Sequence, residues 1–254
     1  MIYRSSQIKQ AKQCNAKAYY RYTLGIVPKS SGKKNPDLFF GTVVHKAIEI
    51  LLLEGQEKSN EYLSRLEFPP GAKTQSIAKI LVNLFRMKFK DEAIACERYF
   101  QLDLDEETTI LGKYDLIARS AGGIYVGDYK TTIPYYLTFK PDDQFISYFI
   151  AARQEFNAQH VVIYNLDPGS VDISMSLITY SEAEIDEWKK EIKKFLGYYQ
   201  SCVDSGIVPK NPGACMDYGR RCEYHDLCTA SPRIRQALIE GAFETDNESL
   251  KLMW

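Results

Sequence analysis

At 254 residues, with 45% hydrophobic and 26% charged side chains, the chain can bury a substantial core and has the balance of an ordinary globular protein. No apolar run approaches the roughly 20 residues of a membrane span, and the N-terminal MIYRSSQIKQ lacks the apolar core of a signal peptide. A cytoplasmic protein without membrane association is therefore expected. The net charge of −1 does not point to nucleic acid, but its distribution does more. The first 36 residues hold eight basic side chains and no acidic one, leaving 24 of the 32 basic residues against all 33 acidic ones elsewhere. With Tyr3, Tyr19, Tyr20 and Tyr22 interleaved, this segment can hold phosphates and stack bases, or it can be a solvated helix face with core tyrosines. Lys17 and Arg21 are its candidate nucleic-acid contacts.

In chain order, Ser5-Ser6 can cap a helix running to about Tyr22, ended by Gly25 and Pro28, and Ser30 to Pro36 (SSGKKNP) reads as a mobile loop. Helices follow over about 40–53 and 57–66. Phe68-Pro69-Pro70-Gly71 breaks the chain before a long amphipathic helix over about 74–95, with Ile77, Ile80, Leu81, Leu84 and Met87 on its apolar face. Strands are expected near 97–104, 109–118 and 124–131, then a helix near 142–155. Strands 160–165 and 171–179 flank the Asp167-Pro168-Gly169 turn. Ser181 with Glu184 forms a capping-box pattern at the head of a helix over about 181–203. Residues 209–230 are loop-rich, and a short helix follows Pro232. Helices first, then hairpin, helix and strands, predict an α/β domain with a mixed central sheet flanked by helices.

The chemistry concentrates in a hairpin, Gly112-Lys113-Tyr114-Asp115 followed by Gly127-Asp128-Tyr129-Lys130, turned at Ser120-Ala121-Gly122-Gly123. A symmetric turn centred on Ala121-Gly122 sets Asp115 opposite Asp128, with Cβ atoms about 5 Å apart, where like charges destabilise a sheet. A divalent cation offsets that repulsion, and Lys130 shares a strand face with Asp128. Two carboxylates and an ammonium meet the needs of phosphodiester hydrolysis: carboxylates hold Mg²⁺ or Mn²⁺, and a lysine positions or deprotonates the water and stabilises the transition state. The bland alternative is a surface hairpin with an Asp–Lys pair.

These residues resemble motifs II and III of the PD-(D/E)XK nuclease superfamily, particularly its RecB-like branch. Gly41-Thr42-Val43-Val44-His45, with Glu49 one turn on, resembles that branch's N-terminal helix motif, and Gln144-Phe145-Ile146-Ser147-Tyr148 resembles its downstream Q-x3-Y motif. The resemblance implies a restriction-endonuclease-like core. It implies His45, Asp115, Asp128 and the backbone carbonyl of Tyr129 as ligands for Mg²⁺ or Mn²⁺, and Lys130 as the catalytic lysine. Gln144 and Tyr148 would contact DNA and order the edge of the site. Asp128 stands where other branches often have Glu.

Cys14 lies near one end of the chain and Cys215, Cys222 and Cys228 near the other. In a reducing compartment such cysteines argue for metal ligation or inert burial over disulfides, and four thiolates suit an iron–sulfur cluster or zinc. Cys215-x6-Cys222-x5-Cys228 is not a zinc-finger spacing. One upstream and three downstream cysteines resemble the [4Fe–4S] arrangement of AddB-type subunits, exonuclease V and the CRISPR-associated RecB-like exonucleases. The usual downstream spacing there is C-x2-C-x5-C; here Gly219 takes the first position and Cys215 lies four residues earlier. Cys96 and Cys202 fall outside the pattern.

The expected organisation is a single domain with a basic helical part (1–95), a catalytic core (96–203), a cysteine region (204–230) and a tail (231–254). Its expected function is a metal-dependent deoxyribonuclease, acting as an exonuclease on single strands or duplex ends. The absence of a Walker A motif assigns any helicase motor to another chain. Two alternatives stand beside it: a nuclease-fold accessory protein that binds DNA ends for a recombination or CRISPR-adaptation partner, and a zinc-stapled DNA-binding module without catalysis.

Overall fold

A computed structural model describes residues 1–29, 35–131, 142–217 and 220–246. The expected loop at Ser30 to Pro36 falls largely outside them, as do Lys33, Lys34 and Gly219. The chain divides into two compact units, each assembled from separated stretches. One comprises residues 33–102 and 112–185; the other comprises 1–32, 103–111 and 186–254.

The first of these is a sheet between helices. Its helices α3 (Pro36–Glu54), α4 (Gln56–Ser64) and α5 (Gln75–Lys88) precede strands β3 (Glu92–Asp103), β4 (Thr109–Ser120) and β5 (Gly123–Lys130). Helix α6 (Asp143–Phe156) and strands β6 (His160–Asp167) and β7 (Asp172–Ile178) complete it. The strands run in the order β4-β5-β6-β7, with β3 also paired to β4; β4–β5 and β6–β7 are antiparallel and β5–β6 parallel. The parallel β5–β6 step follows from α6, which carries the chain back over the sheet before β6 begins. Phe40, Val44, Ile48, Leu81 and Phe85 from the helices pack with Leu116, Tyr129 and Tyr164 from the strands in one core. Asn35 starts α3 by accepting the Asp37 and Leu38 backbone N–H groups, with Pro36 in the first turn.

Helix α5 is shorter than the sequence predicts, because residues from Glu92 onward join the sheet as β3 and tertiary pairing overrides the helical periodicity. Its buried stripe is Ala78, Leu81, Val82 and Phe85. Ile80 and Met87, expected on that face, are 47% and 62% exposed.

The other unit gathers both chain ends. Here β1 (Ile2–Arg4) pairs in parallel with Thr109–Leu111 at the head of β4. The predicted continuous N-terminal helix is instead α1 (Ser5–Gln13), a break at Cys14 in extended conformation, α2 (Asn15–Ala18) and a π-helical turn at Tyr19–Thr23. Strand β2 (Ile26–Pro28) pairs antiparallel with β10 (Phe243–Thr245). Helix α7 (Glu182–Ser205) enters this unit after Ile185, and Ser181 and Glu184 make the expected reciprocal capping box. A 3₁₀ turn (Pro212–Ala214), the short pair β8 (Met216–Asp217) and β9 (Arg220–Arg221), α8 (His225–Thr229) and α9 (Pro232–Ala242) follow. No helix among the described residues is long and apolar enough to cross a membrane.

Candidate active site

The β4–β5 hairpin turns at Ala121-Gly122, where Gly123 adopts φ +111°, a conformation that glycine alone adopts without strain. Strand pairing runs from Ser120↔Gly123 to Leu116↔Gly127, the register the symmetric turn predicts. Asp115 and Asp128 lie one step past the last pair. There the Asp115 carboxylate accepts the Tyr129 backbone N–H at 2.9 Å, so a side chain anchors the strands where the ladder ends.

Asp128 is 1% exposed. Its Oδ1 accepts from Gln144 Nε2 at 2.8 Å, and its Oδ2 lies 2.7 Å from Lys130 Nζ. That ammonium and the buried Oδ2 form a close ion pair. Lys130 Nζ also donates to Gln144 Oε1 at 3.3 Å, and Gln144 Nε2 donates to the Tyr148 hydroxyl at 3.0 Å. One amide thus touches both hairpin residues and the tyrosine one helical turn away. Asp142 fixes its helix by accepting the Gln144 backbone N–H. His45, midway along α3, brings Nδ1 within 3.5 Å of Asp115 Oδ2 and hydrogen-bonds the Tyr129 backbone. Its ring stands edge-on to that of Tyr129, centroids 5.4 Å apart. Gly41 permits this approach: a Cβ there would stand 2.9 Å from Thr131 Oγ1.

Burial first, and the Asp128 charge second, push the Asp115 carboxyl up to about 8. Burial lowers the His45 pKa and favours the neutral imidazole that binds metals. Burial also disfavours the Lys130 ammonium, but Asp128 and then Asp115 outweigh it, and its pKa rises. The site therefore sets two largely buried carboxyl groups beside a single ammonium. Hard oxygen donors and one imidazole suit a divalent cation.

Glu97, which the sequence reading passed over, joins this group. Ligand atoms of His45, Glu97 and Asp115 all lie within 4.8 Å of one another. No spacing rule marks Glu97, which stands on β3 and meets His45 and Asp115 only in the folded chain.

In the other unit the four cysteines share one neighbourhood. The Asn211 backbone N–H donates to Cys14 Sγ at 3.4 Å, and the Cys215 thiol faces the Asn211 carbonyl at 3.7 Å. The Cys222 N–H donates to the Cys215 carbonyl at 2.8 Å. Cys14, Cys222 and Cys228 pack against a core that includes Tyr20, Tyr224 and Phe243, and burial pushes the Cys222 and Cys228 thiols up. Lys17 Nζ lies 3.9 Å from Glu223, and Arg21 is 3.5 Å from Asp246. Both basic side chains are partly exposed.

A mixed sheet whose hairpin carries Asp and Asp-x-Lys, clamped by a glutamine from the next helix, is the framework of a nuclease. Residues 5–229 match the PD-(D/E)XK nuclease superfamily; the chain belongs to that superfamily and is a nuclease. No curated protein matches it significantly. Among solved structures it is similar to a Eubacterium rectale protein whose exonuclease role is itself an assignment. That likeness has 14% identity and a TM-score of 0.55, covering 94% of this chain and 92% of the other, and it bears on the fold. A weaker likeness, with a TM-score of 0.38 and 12% identity, is to the alkaline exonuclease LHK-Exo of Laribacter hongkongensis, over 66% of this chain and 94% of that one.

Proposed function

We propose that the chain is a divalent-metal-dependent deoxyribonuclease of the RecB-like branch that degrades DNA from its ends. The observation that carries this reading is the buried Asp128 carboxylate paired with Lys130, with Asp115 and His45 beside it. Asp115, Asp128, His45 and the Tyr129 carbonyl would hold Mg²⁺ or Mn²⁺. Bound there, the cation would neutralise charge on the phosphate and activate water. Lys130, held as an ammonium by the two aspartates, stabilises negative charge growing on the scissile phosphate. Gln144 holds the Lys130 ammonium and the Asp128 carboxylate in fixed relation, and Tyr148 holds Gln144. The exonuclease assignment of the Eubacterium rectale protein favours attack at ends, and the basic segment with Lys17 and Arg21 would hold phosphates.

The four cysteines, in this reading, hold a [4Fe–4S] cluster whose role is structural. The backbone N–H on Cys14 Sγ is the kind of hydrogen bond that stabilises a cluster thiolate. Protein purified without oxygen is expected to be brown, with iron and acid-labile sulfide; a colourless protein with one zinc per chain would refute the cluster. Labelled single- and double-stranded DNA, incubated with Mg²⁺, Mn²⁺ or EDTA, should be shortened stepwise from an end only when a cation is present.

A further inference from the structure

Successive residues of β3 beyond Glu97 face opposite ways. Phe100 is buried, stacked on Tyr114 with ring centroids 4.6 Å apart and edge-on to Tyr148 at 5.5 Å. Tyr99 turns outward and is 61% exposed. The group that meets its ring is a cation: Lys113 Nζ, from β4, lies 5.8 Å from the centroid, within reach of a cation–π contact. Lys113 also pairs with Glu97, whose carboxylate lies with His45 and Asp115. Burial disfavours the Lys113 ammonium, but Glu97 outweighs it and the pKa rises, so the charge stays on the lysine. A line of contacts therefore runs from an open aromatic face, through a partly exposed ammonium, to the carboxylates of the candidate site.

We propose that Tyr99 is a stacking platform for one base of the DNA strand beside the scissile phosphate, with Lys113 meeting a neighbouring phosphate. The inference rests on the reading of His45, Asp115, Asp128 and Lys130 as a nuclease centre. An exposed tyrosine alone would mean little, since single exposed rings are common on protein surfaces. Here the exposure coincides with two requirements of strand binding. Stacking needs a ring with a free face, which Tyr99 has and the buried Phe100 and Tyr114 lack. The backbone needs a cation close to that ring, and Lys113 stands against it. Lys113 is two residues before Asp115 on β4, and Tyr99 is two residues after Glu97 on β3, the strand paired with it. Every base has a π-face, so this platform holds any sequence. Bases inside a duplex are already stacked on their neighbours, so the strand that reaches Tyr99 is unpaired there.

The test uses a set of single-stranded oligonucleotides, each lacking one base, with binding read by fluorescence anisotropy in EDTA and the fold checked by circular dichroism. Removing the base that Tyr99 holds should cost the wild type about tenfold in affinity, at one position of the strand. Tyr99→Leu should bind the intact strand about tenfold more weakly and lose that positional sensitivity, and Tyr99→Phe, which keeps the ring, should retain it. Lys113→Met should weaken binding at every position and lower the slope of log affinity against log salt by about 0.7. Wild-type affinity in Tyr99→Leu would overturn the inference. A uniform loss in Tyr99→Leu that leaves the positional sensitivity in place would also overturn it, since the ring would then act only through the fold. The intact strand is also given to the wild type and to Asp128→Ala with Mn²⁺. Equal cleavage by both would overturn the site reading itself; cleavage by the wild type alone keeps that reading, whatever the Tyr99 variants do.

Discussion

In the unit of residues 33–102 and 112–185, most of the site comes from one short stretch: Asp115, Asp128, Lys130, Gln144 and Tyr148 follow one another along a hairpin and the next helix. In the other unit the four cysteines are drawn from opposite ends of the sequence, with about 200 residues between Cys14 and Cys215. The hairpin site is fixed by local register, because a two-residue turn dictates which residues face each other. The cysteine neighbourhood exists only once the ends have met. A covalent or metal link across such a span removes on the order of 5 kcal/mol of unfolded-state freedom. The first arrangement is built for positional accuracy, the second for closure.

Substitutions should separate these roles. The largest effect is expected from Lys130→Ala and Asp128→Ala, each lowering cleavage at least about 10²–10³-fold in single-turnover assays, while iron content and circular dichroism stay at wild-type values. Cys222→Ser should do the opposite. Its iron is expected to be lost and its thermal or denaturant midpoint to fall by several kcal/mol, with unfolding that begins in the unit carrying the chain ends. Hydrogen exchange would locate that onset, and an unchanged midpoint would remove the closure role. Gln144→Ala, which leaves Lys130 and Asp128 in place but unclamped, should cost about 10–100-fold in kcat with little change in KM. The smallest expected effect belongs to Lys17→Ala and Arg21→Ala. Each weakens DNA binding modestly and lowers the slope of log affinity against log salt by about 1, measured by fluorescence anisotropy. An unchanged slope would return these residues to their ion pairs with Glu223 and Asp246.

The same contrast explains what could be read from the sequence. The hairpin, its register, the helix carrying Gln144 and the capping box at Ser181 all follow from short-range rules, and each appears where spacing put it. The strands β1, β2 and β10 were not legible, because three-residue strands carry no periodicity and exist through partners up to about 200 residues away. The N-terminal helix was drawn too long, since nothing local announces the break at Cys14; its extended backbone goes with the contact to Asn211 far downstream. Glu97 was missed for a related reason. Nothing in its spacing marks it, and only the folded chain brings its carboxylate to His45 and Asp115.

The most direct test of the account is cleavage of end-labelled DNA by the wild type and by Lys130→Ala, each with Mn²⁺ and with EDTA. Stepwise shortening by the wild type with Mn²⁺ alone, absent in Lys130→Ala, is the predicted result. Equal degradation by both proteins, or degradation that persists in EDTA, would contradict the assignment of this hairpin as the catalytic centre.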